Sequence, residues 1–189
     1  MMCLSRSGKW ILSIIGVCLS VWAILVFRHK NVETQSNCEV REETASINEP
    51  IMDGLLAANS KVKYFYGWYN CHNPSKGDLV LYRYSYKTEP IVRVVRAVEG
   101  DHFKLLPDSK RHAWNLLVND EKVMAKEGAY FFGAETPPTL SLYVKSHGGT
   151  LRAGELILLS SVPPGSLDSG VLGIRQVRDV LAKVELVRH

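Results

Sequence analysis

The 189-residue chain has only four cysteines, Cys3, Cys18, Cys38 and Cys71, scattered with no ligand-type spacing, which excludes a cysteine-ligated zinc module. Cys38 and Cys71 either bridge in an oxidising compartment or stay as two free thiols. The six histidines, His29, His72, His102, His112, His147 and His189, also share no ligand spacing, so no metal or other cofactor is expected. A glycine-rich phosphate loop is missing, because Gly148-Gly149 stands alone before a strand. There is no internal repeat and no low-complexity tract. Surplus charge is absent from most of the chain: four of its 23 cations, Arg6, Lys9, Arg28 and Lys30, precede residue 31, and the other 19 are matched by 19 acids. The excess lies beside an apolar segment, which argues against a nucleic-acid partner and for a membrane surface.

What is present begins with that segment. Trp10 to Phe27 carries no charged side chain over 18 residues, and at about 1.5 Å per residue it would span about 27 Å, the hydrocarbon thickness of a bilayer. It ends in Val26-Phe27-Arg28-His29-Lys30 and not in a small-residue cleavage site, so an uncleaved anchor over 10–27 is expected after an N-terminal segment 1–9. Residues 28–49, with Glu33, Glu39, Glu42, Glu43 and Glu49, read as a tether, and 50–189 as the folded domain.

That domain is expected to be mainly β, an antiparallel sandwich or partly closed barrel on one membrane helix. Its apolar content is sufficient for a core, and no stretch sustains a 3.6-residue period over three turns. Short runs rich in Val, Leu, Ile, Tyr and Phe recur between turn formers: 78–86, 90–98, 102–106, 115–118, 129–132, 140–144, 155–160 and 180–187. Around one of them the chain is organised. Val92-Arg93-Val94-Val95-Arg96-Ala97-Val98-Glu99-Gly100-Asp101 sets two cations among residues that prefer burial. Alternation puts Ile91, Arg93, Val95 and Ala97 on one face and Val92, Val94, Arg96 and Val98 on the other. A cation in such a place needs a carboxylate partner or a job.

Four features in this order resemble the type I signal peptidase family, in particular its mitochondrial inner membrane peptidase branch. They are an anchor followed by a β domain; Lys76-Gly77-Asp78-Leu79-Val80; the stretch ending Glu99-Gly100-Asp101, which resembles Ile-Lys-Arg-Val-Ile-x-Leu-Glu-Gly-Asp; and Ser166-Leu167-Asp168-Ser169-Gly170-Val171-Leu172-Gly173, which resembles Ser-x-Asp-Ser-Arg-x-x-Gly. The resemblance implies a serine nucleophile with a lysine general base, the lysine sheltered by apolar groups that lower its pKa. It places Ser46 as candidate nucleophile, 30 residues before Lys76, with an ordinary tether serine as the alternative. It places Ser166 as the hydroxyl that orients the base, followed by Asp168. At the base itself stands Arg93, which keeps its proton at any ordinary pH. Two further departures are Val94 where the family has an arginine and Gly170 where its box has another, which frees Asp168 to pair with Arg93.

Three functions follow. The chain is a non-catalytic or impaired family member or subunit that keeps the extended-peptide groove; or an active peptidase using Ser46 with a relocated base, Lys87 or Lys104; or an unrelated membrane-tethered β domain. The residues favour the first. Expected partners are signal-peptide or presequence-bearing proteins, the lipid bilayer and a catalytic peptidase subunit. The expected location is the mitochondrial inner membrane, with the bacterial plasma membrane as the alternative. Residues 135–145 have no counterpart in the family pattern and read as an insertion that caps the site or docks a partner.

Overall fold

The computed structural model describes residues 38–46, 60–84, 89–133, 138–165 and 167–187. They form strands β1 (Arg41–Ser46), β2 (Lys61–Tyr66), β3 (Leu79–Tyr82), β4 (Ile91–Ala97), β5 (Phe103–Asp108), β6 (Ala113–Val118), β7 (Glu121–Lys122), β8 (Met124–Ala125), β9 (Gly128–Ala129), β10 (Phe131–Phe132), β11 (Glu155–Leu159), β12 (Arg175–Gln176) and β13 (Val180–Leu186). Two short α-helices, α1 (Leu140–His147) and α2 (Ser169–Leu172), and two 3-10 turns, Trp68–Asn70 and Val177–Asp179, accompany them.

A seven-stranded sheet runs β1-β2-β13-β3-β4-β11-β12, and a smaller one runs β10-β6-β5 with β7 added to β6. Every pairing is antiparallel. The central strands are covered on both faces, so Leu79–Tyr82 and Glu155–Leu159 are apolar almost without interruption. Val62, Leu81, Val92, Val94, Ala182 and Val184 pack in one cluster of the large sheet, and Val80, Tyr82, Tyr84, Val95, Leu156 and Leu158 in another. A third cluster, including Phe103, Leu116, Tyr130, Leu140, Ile157 and Leu159, joins the large sheet to the small one.

The family-like turns are structural joints. Gly100 takes φ 83°, a conformation that favours glycine, and this brings Asp101 under Val98, whose N–H donates to its carboxylate at 2.9 Å. The same carboxylate accepts from Lys76 Nζ at 3.1 Å and from Asn119 Nδ2 at 2.6 Å, tying the Lys-Gly-Asp turn to the Glu-Gly-Asp turn.

Four expectations are corrected. The run 10–27 lies outside the described residues, and among these no helix is long and apolar enough to cross a membrane. The described residues thus give no support to the membrane helix, to the single-pass membrane location, mitochondrial or bacterial, or to the bilayer as a partner. The stretch read as a tether contributes strand β1, paired with β2 from Arg41 opposite Tyr66 to Ser46 opposite Lys61. Strand 140–144 is instead helix α1: Leu140 is buried, Tyr143 and Val144 pack on the core one turn later, and Gly148 closes the helix at φ 67°. Finally, strict alternation along β4 fails. Leu158 faces Val95 and Ile157 faces Ala97, so Arg96 is the extra residue of a bulge; Val98 then joins the cluster of Ile91 and Val95 while Ala97 leaves it.

Candidate functional site

Strand β4 and the segment leading into α2 bring Arg93 and Asp168 to one place. Both line a small cavity of about 10 Å³, roughly the room of a single water, that Tyr82, Tyr84, Leu158 and Leu172 also border. The Arg93 guanidinium donates to the Leu167 carbonyl at 3.3 Å and to the Val92 carbonyl at 2.8 Å. It thus meets the box one residue before Asp168, and its charge acts on that carboxyl from there.

Asp168 is 1% exposed and caps α2, its Oδ1 accepting from the Gly170 N–H at 2.8 Å. Its other oxygen is in short contact with the Tyr130 hydroxyl. That hydroxyl also meets Ser160 Oγ at 2.9 Å, and Ser160 donates to the Val162 carbonyl at 2.8 Å. Burial pushes the Asp168 carboxyl above its ordinary value, and the bonds from Tyr130 and Gly170 and the Arg93 charge pull against it without cancelling it. Burial, with the neighbouring carboxylate, raises the Tyr130 phenol as well. Next along the chain, Ser169 is fully buried, and its hydroxyl accepts from the Leu158 N–H at 2.9 Å, fastening α2 to β11.

The departures from the family pattern are packed, not vacant. Val94 is buried in the apolar cluster of Val92 and Leu81. Any side-chain carbon at Gly170 would collide with the Phe132 ring, and one at Gly165 would strike Asp168, Ser160 and Tyr130 together. Phe132 itself is 6% exposed and set edge-on to Tyr130 at 5.6 Å. On the far side of Asp168 lies a cavity of about 230 Å³ bordered by Phe132, Pro138, Thr139, Pro164, Gly165 and Val171.

Ser46 is elsewhere. It ends β1, exposed at the edge of the large sheet, four strand steps from β4, which is about 19 Å at the usual spacing between strands. Its register partner Lys61 is exposed too, whereas burial is what turns a lysine into a base. Ser166 and Lys87 lie outside the described residues. Lys104 is on β5, in the other sheet, in an ion pair with Asp120 at 2.7 Å. Cys38 and Cys71 are joined in a disulfide, with Cα atoms 5.8 Å apart. Together with His72 they place three possible metal-ligand atoms within 4.8 Å, but a disulfide offers no thiolate.

Tyr130 and Ser160 escaped the sequence reading. Tyr130 sits in the plain apolar run 129–132, and Ser160 at the end of another, where nothing marks a hydroxyl as part of a buried chain.

The family described as "Signal peptidase, peptidase S26" matches residues 7–188. A signal peptidase I from Enterococcus faecalis V583, solved by crystallography, resembles the chain at 15% identity and a TM-score of 0.41, over 59% of this chain and 97% of that one. No curated protein matches it. With nearly its whole length inside the family match, the chain belongs to the signal peptidase family, peptidase S26.

Proposed function

We propose that this chain is a non-catalytic member of that family, which binds the extended targeting segment of a signal-peptide- or presequence-bearing protein and leaves bond cleavage to a separate catalytic subunit. The observation that carries this reading is Arg93, a permanently charged, half-buried guanidinium donating to two carbonyls where the family pattern has its lysine. A guanidinium cannot take a proton from a serine, so the position has no base to offer. The edge placement of Ser46 and the packing of Phe132 against Gly170 point the same way. Recognition needs neither a base at position 93 nor a nucleophile at Ser46. The cavity of about 230 Å³ beside Asp168 is of a size for one small or medium side chain of an extended peptide.

The test is incubation of the full chain with a signal-type peptide, scoring binding by fluorescence anisotropy and cleavage by mass spectrometry. Binding without a cleaved product is expected. Turnover that disappears in Ser46→Ala or in Ser166→Ala would overturn the proposal and establish an active peptidase.

A further inference from the structure

Three side chains at the β1–β2 edge of the large sheet take no part in the site above. Cys38, Cys71 and His72 are all exposed, and each has one possible metal-ligand atom within 4.8 Å of the other two; among the described residues no other three such groups come so close. They meet through the fold alone. Cys38 lies ahead of β1, the other two follow the Trp68–Asn70 turn, and the two cysteines are 33 residues apart, a spacing that marks no metal site in the sequence.

His72 is already set as a ligating histidine is set. Its ring lies flat on Trp68, with centroids 3.9 Å apart, and its Nδ1 meets the Trp68 carbonyl at 2.9 Å. A carbonyl only accepts, so Nδ1 carries the proton and the neutral ring keeps its lone pair on Nε2. A bond from the second ring nitrogen to a backbone carbonyl is what usually fixes the tautomer and orientation of a metal-bound imidazole.

The disulfide keeps both sulfurs from a metal, so the site belongs to the reduced chain. A dithiol reductant supplies two electrons and two protons: the S–S bond breaks, Cys38 and Cys71 become thiols, and the dithiol closes to its own disulfide. A divalent cation then displaces both thiol protons and takes the two thiolates. At about 2.3 Å from a tetrahedral metal the sulfurs stand about 3.8 Å apart, which side-chain rotation supplies with the Cα atoms held at 5.8 Å. Two thiolates and an imidazole are a soft donor set, which selects Zn2+ over Mg2+ or Ca2+ and leaves the fourth position to water.

We infer that Cys38, Cys71 and His72 form a zinc-class metal site once their disulfide is reduced, so that β1 is tied to the end of β2 by a covalent bond in one redox state and by a metal ion in the other. The inference is independent of position 93 and of peptide binding.

The test uses the full chain with Cys3→Ser and Cys18→Ser, which leaves these two thiols alone. It is reduced with a dithiol, freed of reductant without air, and titrated with Co2+ and then Zn2+. The reduced chain is expected to take up Co2+ with a thiolate-to-cobalt charge-transfer absorption, to give it up to Zn2+, and to hold Zn2+ with a Kd below about 10 µM. Hydrogen exchange of the β1 amides should quicken on reduction and slow again when Zn2+ is added. His72→Ala should weaken Zn2+ binding at least about tenfold, and the oxidised chain should show neither the absorption nor the affinity. Absence of the charge-transfer absorption, equal binding of Zn2+ by the oxidised chain, or binding unchanged by His72→Ala would each overturn the inference. Should reduction unfold the chain, added Zn2+ must restore the fold; a chain that stays unfolded overturns the inference too.

Discussion

Replacing Asp168 with asparagine interrogates the buried polar chain through its response to pH. The contacts run from Asp168 to the Tyr130 hydroxyl, on to Ser160 Oγ at 2.9 Å, and on to the Val162 carbonyl at 2.8 Å. Three contacts need three protons. With the carboxylate ionised, only the two hydroxyl protons are on hand and one contact goes without; a protonated Asp168 supplies the third. Burial drives the carboxyl in the same direction, above its ordinary 3.8. A group with a raised folded pKa keeps its proton longer in the native state, so its contribution to stability is whole below the unfolded value and is lost as pH rises through the folded one. The missing contact sets the size of that loss at about 1 kcal/mol. Urea unfolding of the chain and of Asp168→Asn, at steps between about pH 4 and 8, measures it, the difference between the two separating Asp168 from every other titrating group. The advantage of the unaltered chain over the variant should shrink by that amount with rising pH. A difference that stays flat, or grows toward neutrality, would refute the reasoning.

Asp101 should behave with the opposite sign. Burial works against its anion, but bonds from Val98, Asn119 and Lys76 outweigh it and leave its pKa depressed. Its contribution is therefore present above 3.8 and lost as pH falls through the lower folded value, and Asp101→Asn should cost most near neutral pH in the same unfolding assay. Gly170→Ala should destabilise by about 1–3 kcal/mol through overpacking on Phe132, which cannot yield without disturbing Tyr130, and Gly170→Arg should cost more still. Ser46→Ala, exposed at the sheet edge, should shift stability by less than about 0.5 kcal/mol and leave peptide binding unchanged.

Much of this was legible in the order of residues. Glu155–Leu159 announced a strand because it is apolar and buried almost throughout, Val180–Leu186 because buried Ala182 and Val184 alternate with Lys183 and Glu185, and Lys76-Gly77-Asp78 and Glu99-Gly100-Asp101 stood out as turns. Helix α1 did not, because its eight residues cover barely two turns, too few for a 3.6-residue period to outweigh a run of Leu, Tyr and Val. Strand β1 was hidden for another reason. Arg41, Glu42 and Glu43 keep an edge strand charged and exposed, which in one dimension reads as a solvated linker. The bulge at Arg96 is set by the partner strand and has no local signature. The apolar run at 10–27 carried an anchor reading that the described residues do not support. Of the site, Arg93 and Asp168 declared themselves through the motifs, whereas Tyr130 and Ser160 are joined to them only by the packing of distant strands.

The bond between Cys38 and Cys71 spans 33 residues, and by chain entropy alone it raises stability by about 4 kcal/mol. Its position matters more than its size. Strand β1 touches the sheet only along β2, and Cys38 lies just ahead of it, fastened to the turn that follows β2. Under reduction the outermost strand is free to peel away, and the margin it guards, Lys61–Tyr66 with Tyr64, Phe65 and Tyr66, becomes an open, aromatic template for pairing with other molecules. The bridge thus acts as a clasp against aggregation, and the protein is suited to surroundings that keep the clasp shut.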